Sequence, residues 1–325
     1  MTQLDQPIFI TGADRSGTSL MYALLASHPN ISMVRRTNMW RWFYGQFGDL
    51  ARRENFERCL QTMLRYYRLD ALHPDAQRIR SEFGQGPATY GHLFALFHRH
   101  HAQRRARTRW GDKSLHTEHY ASQIFSEFPE ARIIHMIRDP RDRYASVLKR
   151  YEDREKGISA AMGRWLASTW QARKNLRRFP NNVLLLRYET LAQEPETTLK
   201  KVCAFVDEPY RSEMLSMQGA PEHGESGGNS SFTRFEPGAI STRSIGRYRK
   251  VLAVEDIAFI QFCAGRQMHQ LHYTKEPTPM TRRRRLKFYG YDLPVNLLRL
   301  GGWLALDRFK TAKGTPAPES VSYTH

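Results

Sequence analysis

Apolar residues along this chain fall into a few short unbroken runs, separated by longer stretches with helical periodicity. The run PIFITG, Pro7 to Gly12, ends on glycine and predicts a buried strand. Beyond Gly17, residues Leu20, Met21, Leu24 and Leu25 recur at helical spacing until His28-Pro29-Asn30 breaks the pattern. ARIIHMI (131–137) and NVLLLRYE (182–189) predict two more buried strands. DPRDRYASVLKRY follows the first of these as a turn and a helix, with Pro140 in its first turn. Further helices are expected over 158–178, 195–206 and 254–271. Residues 38–107 read as mostly helical, rich in Arg, Tyr and Trp, and are expected to cover the active-site side as an insertion. Strands alternating with helices predict an α/β chain. The expected fold is a three-layer parallel sheet flanked by helices, with the helical insertion after the first βα unit.

Residues 219–244 are rich in Gly and Ser and predict a long functional or mobile loop. The composition shifts at Glu276, so the expected division is a main domain over 1–275 and a basic, aromatic extension over 276–325. In that extension Arg282 to Arg285 and Lys287 stand beside Phe288, Tyr289 and Tyr291. Leu297, Leu300 and Leu304 then fall near one helical face, flanked by Trp303 and Phe309. Basic residues with interfacial aromatics suit an anionic membrane surface. The other reading of the same pattern is a helix docked on the protein's own core.

The chain has 325 residues and 40% apolar residues, enough for a sizeable core. Its 50 Lys+Arg against 32 Asp+Glu give +18, which points to an anionic partner without saying which. Cys59, Cys203 and Cys263 lie far apart, so neither a disulfide framework nor a zinc site is expected. No leader pattern or apolar stretch long enough to span a bilayer is seen. The expected location is the cytoplasm, with peripheral contact at the inner membrane face. His98, His100 and His101 have no metal spacing and read as a solvated basic helix end.

The candidate chemistry begins at ITGADRSGTSL (10–20), where Gly12 and Gly17 have the spacing of a phosphate-binding loop but Thr18 replaces its lysine. Thr18 cannot neutralise a triphosphate. Arg15 offers a fork of donors inside the turn, and Ser16, Thr18 and Ser19 add hydroxyls to the backbone N–H groups. Such a loop suits a 5′-phosphate carrying one further anionic group and requires no metal. Arg138 follows the strand ARIIHMI at the end where open α/β folds bind ligands, and Ser146 lies eight residues on. Together they can hold a second phosphate from two sides.

At this point the sequence resembles the sulfotransferases that use 3′-phosphoadenosine 5′-phosphosulfate (PAPS), with a P-loop-like fold and features of the bacterial and Golgi-type branch. RSGTSL (15–20) is similar to their 5′-phosphosulfate loop, and FPEARIIHMIRDPRDRYASVLKRY (128–151) to their 3′-phosphate segment. WGDKSLH (110–116), LRYETLAQEPETTLKKVCAFV (186–206) and SIGRYRKVL (244–252) resemble further family segments in the family's order. The resemblance implies a fold of that family and transfer of a sulfuryl group to a hydroxyl on a glycan, glycolipid, small molecule or peptide tyrosine. It implies that Arg15, Ser16, Gly17, Thr18 and Ser19 hold the 5′-phosphosulfate, Arg138 and Ser146 the 3′-phosphate, and that Tyr188 lies near adenine. The resemblance further implies that Arg247 or Arg249 closes over the 3′-phosphate. Arg15 and Lys113 are the candidates for stabilising the leaving phosphate.

The chain departs from the family pattern in two places. Arg35 and Arg36 stand where tyrosylprotein-type relatives carry an acid, so the general base is expected elsewhere. His116 is the first candidate, ahead of Asp112 and Glu118, because imidazole titrates near neutrality. Asp14 stands where proline is more usual, and beside such a loop an acid must turn away. The expected partners are a hydroxyl-bearing acceptor and an anionic membrane surface, with neither metal nor nucleic acid, and the oligomeric state is left open. Two other readings remain. One is a nucleotide or small-molecule kinase with a degenerate loop, identified by Mg²⁺-dependent ATP turnover. The other is a non-catalytic basic protein that binds nucleic acid or membrane, identified by salt-sensitive RNA binding without PAPS affinity.

Overall fold

A computed structural model describes residues 6–150, 157–220 and 240–313. The loop expected over 219–244 falls mainly on 221–239, outside the described residues, as does the polar end of the chain beyond Lys313.

The hydrophobic pattern predicts three strands; the sheet has five. In chain order they are β1 (Ile8–Gly12), β2 (Ile31–Arg35), β3 (Arg109–Lys113), β4 (Arg132–Ile137) and β5 (Val183–Arg187). They lie in the order β2-β3-β1-β4-β5, and all pairs are parallel. β1 sits at the centre, in register from Ile8↔Gly111 on one side and Ile8↔Arg132 on the other. β3, the sequence RWGDK, has no apolar run. It is a strand because it completes the ladder between β1 and β2, a non-local pairing that local periodicity does not encode.

Alternation along β1 divides the core between the two faces. Phe9 joins Trp110, Phe94 and Ile133 on one face, whereas Ile8 and Ile10 pack on the other with α1 (Thr18–Ala26). The insertion follows β2 rather than α1. It comprises α2 (Met39–Trp42), α3 (Arg53–Leu64), α4 (Ala76–Phe83) and α5 (Tyr90–Arg104), and its apolar stripes cover the Phe9 face. His98, His100 and His101 of α5 are buried, contrary to the solvated helix end that their charge suggests. His98 packs between Phe94 and Trp110, where burial pushes its pKa down to about 3. His101 shares a hydrogen bond with Ser32 (2.9 Å) and His100 with Glu82 (2.8 Å).

After β3 come a 3₁₀ turn (Thr117–Tyr120), α6 (Ala121–Glu127), and then β4 with α7 (Pro140–Arg150) and α8 (Ile158–Arg178). β5 leads into α9 (Tyr188–Gln193) and α10 (Pro195–Phe205), the latter started by proline at its first position. α11 (Tyr248–Val251) and α12 (Val254–Gln270) close the third core region with α7 and α8.

The C-terminal segment folds back onto this region. α13 (Arg282–Lys287) and a π-helical turn lead to α14 (Leu293–Lys313), which lies along α8. Phe288, Leu293 and Leu300 are buried with Trp165 and Phe259, and Ser159 Oγ donates to Asn296 O at 2.9 Å. Gly163 of α8 allows the close approach: a Cβ there would stand 2.2 Å from the Trp303 ring. The opposite side of α14 leaves Leu298, Leu306 and Phe309 exposed. No helix of the described residues is long and apolar enough to cross a membrane.

Candidate active site

The C-terminal ends of β1, β3 and β4 open onto one crevice, the position where open parallel sheets bind ligands. The turn after β1 is built around two glycines with different tasks. At Gly12 (φ 137°) a Cβ would lie 2.3 Å from Met136 O, so β1 and β4 could not close there. Gly17 (φ 90°) precedes α1, and a Cβ there would meet the Tyr188 ring at 2.5 Å. Between them Arg15 takes a left-handed φ of 65°, which turns the backbone N–H groups inward as an anion nest at the helix terminus. Ser16 Oγ is buried here without a hydrogen-bond partner.

The structure brings the loop and the β4 segment into contact. Arg15 Nε donates to Ser146 Oγ at 3.0 Å. Arg138 Nη1 donates to Arg15 O (3.3 Å) and Nη2 to Ser244 O (2.8 Å), with the guanidinium 4.5 Å from the Tyr188 ring centroid. Tyr188 Oη and Ser244 Oγ share a hydrogen bond of 2.7 Å. Arg138 Nε is buried with no hydrogen-bond partner. Gly246 N and Tyr248 N donate to the Asp142 carboxylate at 2.6 and 3.0 Å, which ties the Arg247 segment to the start of α7. Arg249 is engaged by Glu276 (2.9 Å).

Lys113 at the end of β3 reaches the first turn of α1, with Nζ 3.5 Å from Ser19 Oγ. Burial, then repulsion from Arg36 and Arg35, pushes its pKa down to about 8. Its neighbour Asp112 points to the opposite sheet face by strand alternation. Burial pushes Asp112 up to about 7, against the pull of the Ser114 and Thr37 hydroxyls.

Asp14 does turn away from the loop. Arg143 Nη2 donates to Asp14 Oδ1 (2.5 Å) and Nε to Asp14 O (2.8 Å), while Nη1 is held by Ala161 O (2.7 Å). Burial opposes ionisation of Asp14, but the charge and hydrogen bond of Arg143 outweigh it and hold the carboxyl below its ordinary value. Arg143 is missed by sequence reasoning because a dense charged turn such as RDPRDR looks solvated. The available signal was the conflict itself, an acid in an anion loop that needs a partner.

The three candidate bases have different surroundings. Glu118 is fully buried: Thr11 Oγ1 and Ser168 Oγ (3.1 Å) donate to its carboxylate, and Arg164 stands 3.6 Å away. Burial disfavours its charge, yet the Arg164 guanidinium holds it ionised. Its pKa lies far below the carboxylate range. His116 has a left-handed φ of 71°, and its Nδ1 accepts from Arg164 Nη1 at 2.7 Å. A guanidinium only donates, so the neutral ring carries its hydrogen on Nε2. Burial and then Arg164 hold the His116 pKa well below its ordinary value. Arg164 had no sequence signal; α8 brings it within electrostatic reach of Asp14 as well. Among the described residues no group of three or more His, Cys, Asp or Glu is gathered as a metal would require.

Comparison with known proteins gives the family of the chain. Residues 7–212 match the Sulfotransferase family. An uncharacterized Aquifex aeolicus protein is 23% identical over 238 residues, which is 65% of this chain and 26% of that protein. A Caenorhabditis briggsae protein with a provisional name, protein-tyrosine sulfotransferase, is 24% identical over 66% of this chain and 70% of its own length. The chain thus spans about a quarter of the first relative and somewhat over two thirds of the second. In three dimensions it resembles the sulfotransferase domain of the Synechococcus PCC 7002 olefin synthase, with TM-score 0.54 and 18% identity over 84% of this chain and 97% of that one.

Arg143→Met strands the Asp14 carboxylate beside the loop. Breaking one side of a buried pair costs about 3–5 kcal/mol, and the 24% exposure of the Asp14 side chain puts the loss toward the low end. Thermal melts at pH 7 should show that deficit, and Asp14→Asn in the same chain should recover part of it. Because the folded-state pKa of Asp14 is depressed, its contribution is present above its unfolded value and is lost as pH falls through the folded one. The gap between wild type and variant should therefore narrow below about pH 4. A gap independent of pH would exclude Asp14 as the partner that matters.

Proposed function

The chain belongs to the sulfotransferase family, and from that premise we propose that it moves a sulfuryl group from PAPS to a hydroxyl acceptor by in-line displacement. The observation that carries this reading is the junction of Arg15, Ser146 and Arg138, where two anion-binding segments meet around buried, unpartnered donors. Ser16 Oγ and Arg138 Nε lack partners that phosphate oxygens would supply. In this reading Arg15, Ser16, Gly17, Thr18 and Ser19 hold the 5′-phosphosulfate, Arg138, Ser146 and Arg247 the 3′-phosphate, and Tyr188 borders the adenine.

Sulfuryl transfer, like phosphoryl transfer, asks the protein mainly for position and for positive charge where the leaving oxygen gains electrons. Arg15 and Lys113 supply that charge. His116 is assigned the acceptor's proton. It must first present a bare Nε2, which means moving its hydrogen to Nδ1 and giving up the Arg164 hydrogen bond. Glu118 is filled by its own partners, and Asp112 faces the other side of the sheet.

The exposed side of α14, with Leu298, Leu306 and Phe309 beside Arg299 and Arg308, is proposed to rest on an anionic membrane surface at the cytoplasmic face. Full-length protein should float with anionic vesicles at low salt, and the pair Leu298→Asp/Phe309→Asp should stay in solution. Both residues are exposed, so the fold is unaffected; equal flotation of the two proteins, or none, removes the membrane assignment.

PAP, the desulfated product, should raise the melting temperature without Mg²⁺. Arg138→Ala removes a charged hydrogen bond worth about 1.5–3 kcal/mol, so affinity for PAP should fall roughly 10- to 150-fold. Binding of 5′-AMP, which lacks the 3′-phosphate, should change far less, and equal losses for the two ligands overturn the 3′-phosphate assignment.

Lys113 makes PAP binding depend on pH. The free lysine titrates at about 8, and a bound anion raises that value. Binding then takes up a proton at higher pH, so affinity should be flat below 8 and fall by up to about tenfold per unit above it. In Lys113→Met calorimetry should show no such fall. A slope that persists around pH 7 belongs to Asp112 instead.

A further inference from the structure

A peptide unit is planar, so its C=O and N–H point in opposite directions and turn together. The unit that joins Arg138 to Asp139 lies after the last residue of β4 and before Pro140, the first of α7. It stands between the strand ladder and the helix, where a buried peptide must find its partners elsewhere. Both come from side chains. Trp165 Nε1, on α8, donates to Arg138 O at 2.9 Å. Glu189, in the first turn of α9, accepts from Asp139 N at 2.9 Å through Oε1. Trp165 and Glu189 are both buried.

Each of the two is itself held. Trp165 is buried with Phe259 and Phe288 in the third core region. Glu189 Oε2 accepts from Tyr273 Oη at 2.9 Å, and Arg187 Nε stands 3.9 Å from the same oxygen. The Arg187 guanidinium in turn lies 4.4 Å from the Tyr273 ring centroid. The Asp139 side chain is taken by Arg141, whose Nε and Nη2 donate to it at 3.0 and 2.6 Å. The peptide thus sends the acid toward Arg141 and the arginine toward the loop, where Arg138 meets Arg15 O, Ser244 O and the Tyr188 ring. Tyr188 and Glu189 are consecutive: the first meets the guanidinium, the second the peptide that carries it.

We propose that Trp165 and Glu189 are positioning residues for the 3′-phosphate, acting through Arg138 by fixing the Arg138–Asp139 peptide from both sides. The inference rests on the sulfotransferase reading for the identity of the anion. A peptide bonded at both ends to buried groups cannot rotate without leaving a donor and an acceptor unpaired. Losing either partner removes that restraint. The ligand must then order Arg138 itself, which lowers affinity for the 3′-phosphate alone. Asp139 N only donates, so any oxygen at the Glu189 position serves it, charged or not.

Titration calorimetry of full-length variants with PAP and with 5′-AMP tests this. Trp165→Phe keeps an aromatic ring and deletes the donor. Glu189→Met keeps the length and deletes the acceptor, whereas Glu189→Gln keeps an oxygen for Asp139 N. Trp165→Phe and Glu189→Met should each weaken PAP by about tenfold, with 5′-AMP staying within about twofold. Glu189→Gln should bring PAP affinity back to within about threefold of wild type. In Arg138→Ala the group being positioned is gone, so adding Trp165→Phe should change PAP affinity by less than about twofold. Equal losses for PAP and 5′-AMP, a Trp165→Phe loss that persists in full beside Arg138→Ala, or PAP affinity unchanged by Trp165→Phe overturns the proposal. Should Glu189→Met fail to fold, Trp165→Phe and its cycle with Arg138→Ala decide alone. If the wild type binds no PAP, the sulfotransferase reading falls and inorganic phosphate becomes the probe. Matching losses of phosphate affinity in Arg138→Ala and Trp165→Phe, with none added on combining them, keep the positioning role; phosphate affinity indifferent to Trp165→Phe removes it.

Discussion

Like charges brought together out of water repel, and this crevice collects Arg15, Lys113, Arg138, Arg143 and Arg164 at the ends of three adjacent strands. Two unit charges 4 Å apart interact by about 4 kcal/mol at an effective dielectric of 20. A fold with all five unopposed would be strained severely. The protein separates them by task. Arg143 is closed onto Asp14, and Arg164 onto Glu118 and His116. Arg15 and Arg138 rest on a hydroxyl and on backbone carbonyls. Lys113 has its pKa lowered first by burial and then by repulsion from Arg36 and Arg35.

Position at the site is enforced by packing as much as by charge. Tyr188 fills the space that Gly17 leaves open and carries Arg138 against its ring, so the loop and the second arginine are set by one contact region. Asp142 plays a similar part for the distant segment around Arg247 by accepting two backbone N–H groups. α8 carries Arg164 to His116 and offers Gly163 to Trp303. The C-terminal helix is thereby bound to the same element that orients the candidate base.

Much of this was legible in local sequence. β1, β4 and β5 are apolar runs, and the helices over 158–178 and 254–270 follow from their periodicity. The two glycines of the loop mark the turn between β1 and α1, where both take positive φ. The order of the segments along the chain carries the family. The limits of legibility are equally local. β2 and β3 contain arginine, aspartate and lysine, and become strands only through neighbours about eighty residues apart in the sequence. The α5 histidines looked solvated because charge type alone does not reveal which side of a helix meets the core.

What the sequence by itself determined is the set of parts: a parallel α/β chain, a phosphate-type loop with arginine in place of lysine, a second arginine–serine pair, and a basic aromatic extension. Only the tertiary structure decided how those parts are used. It turned Asp14 away by supplying Arg143 from α7, filled Glu118 from β1 and α8, and set the tautomer of His116 through Arg164. Burial and long-range charge depend on which residues meet across the fold. A side chain's type states its chemical capacity, but its neighbours in space set its protonation, its direction and the ligand it can reach.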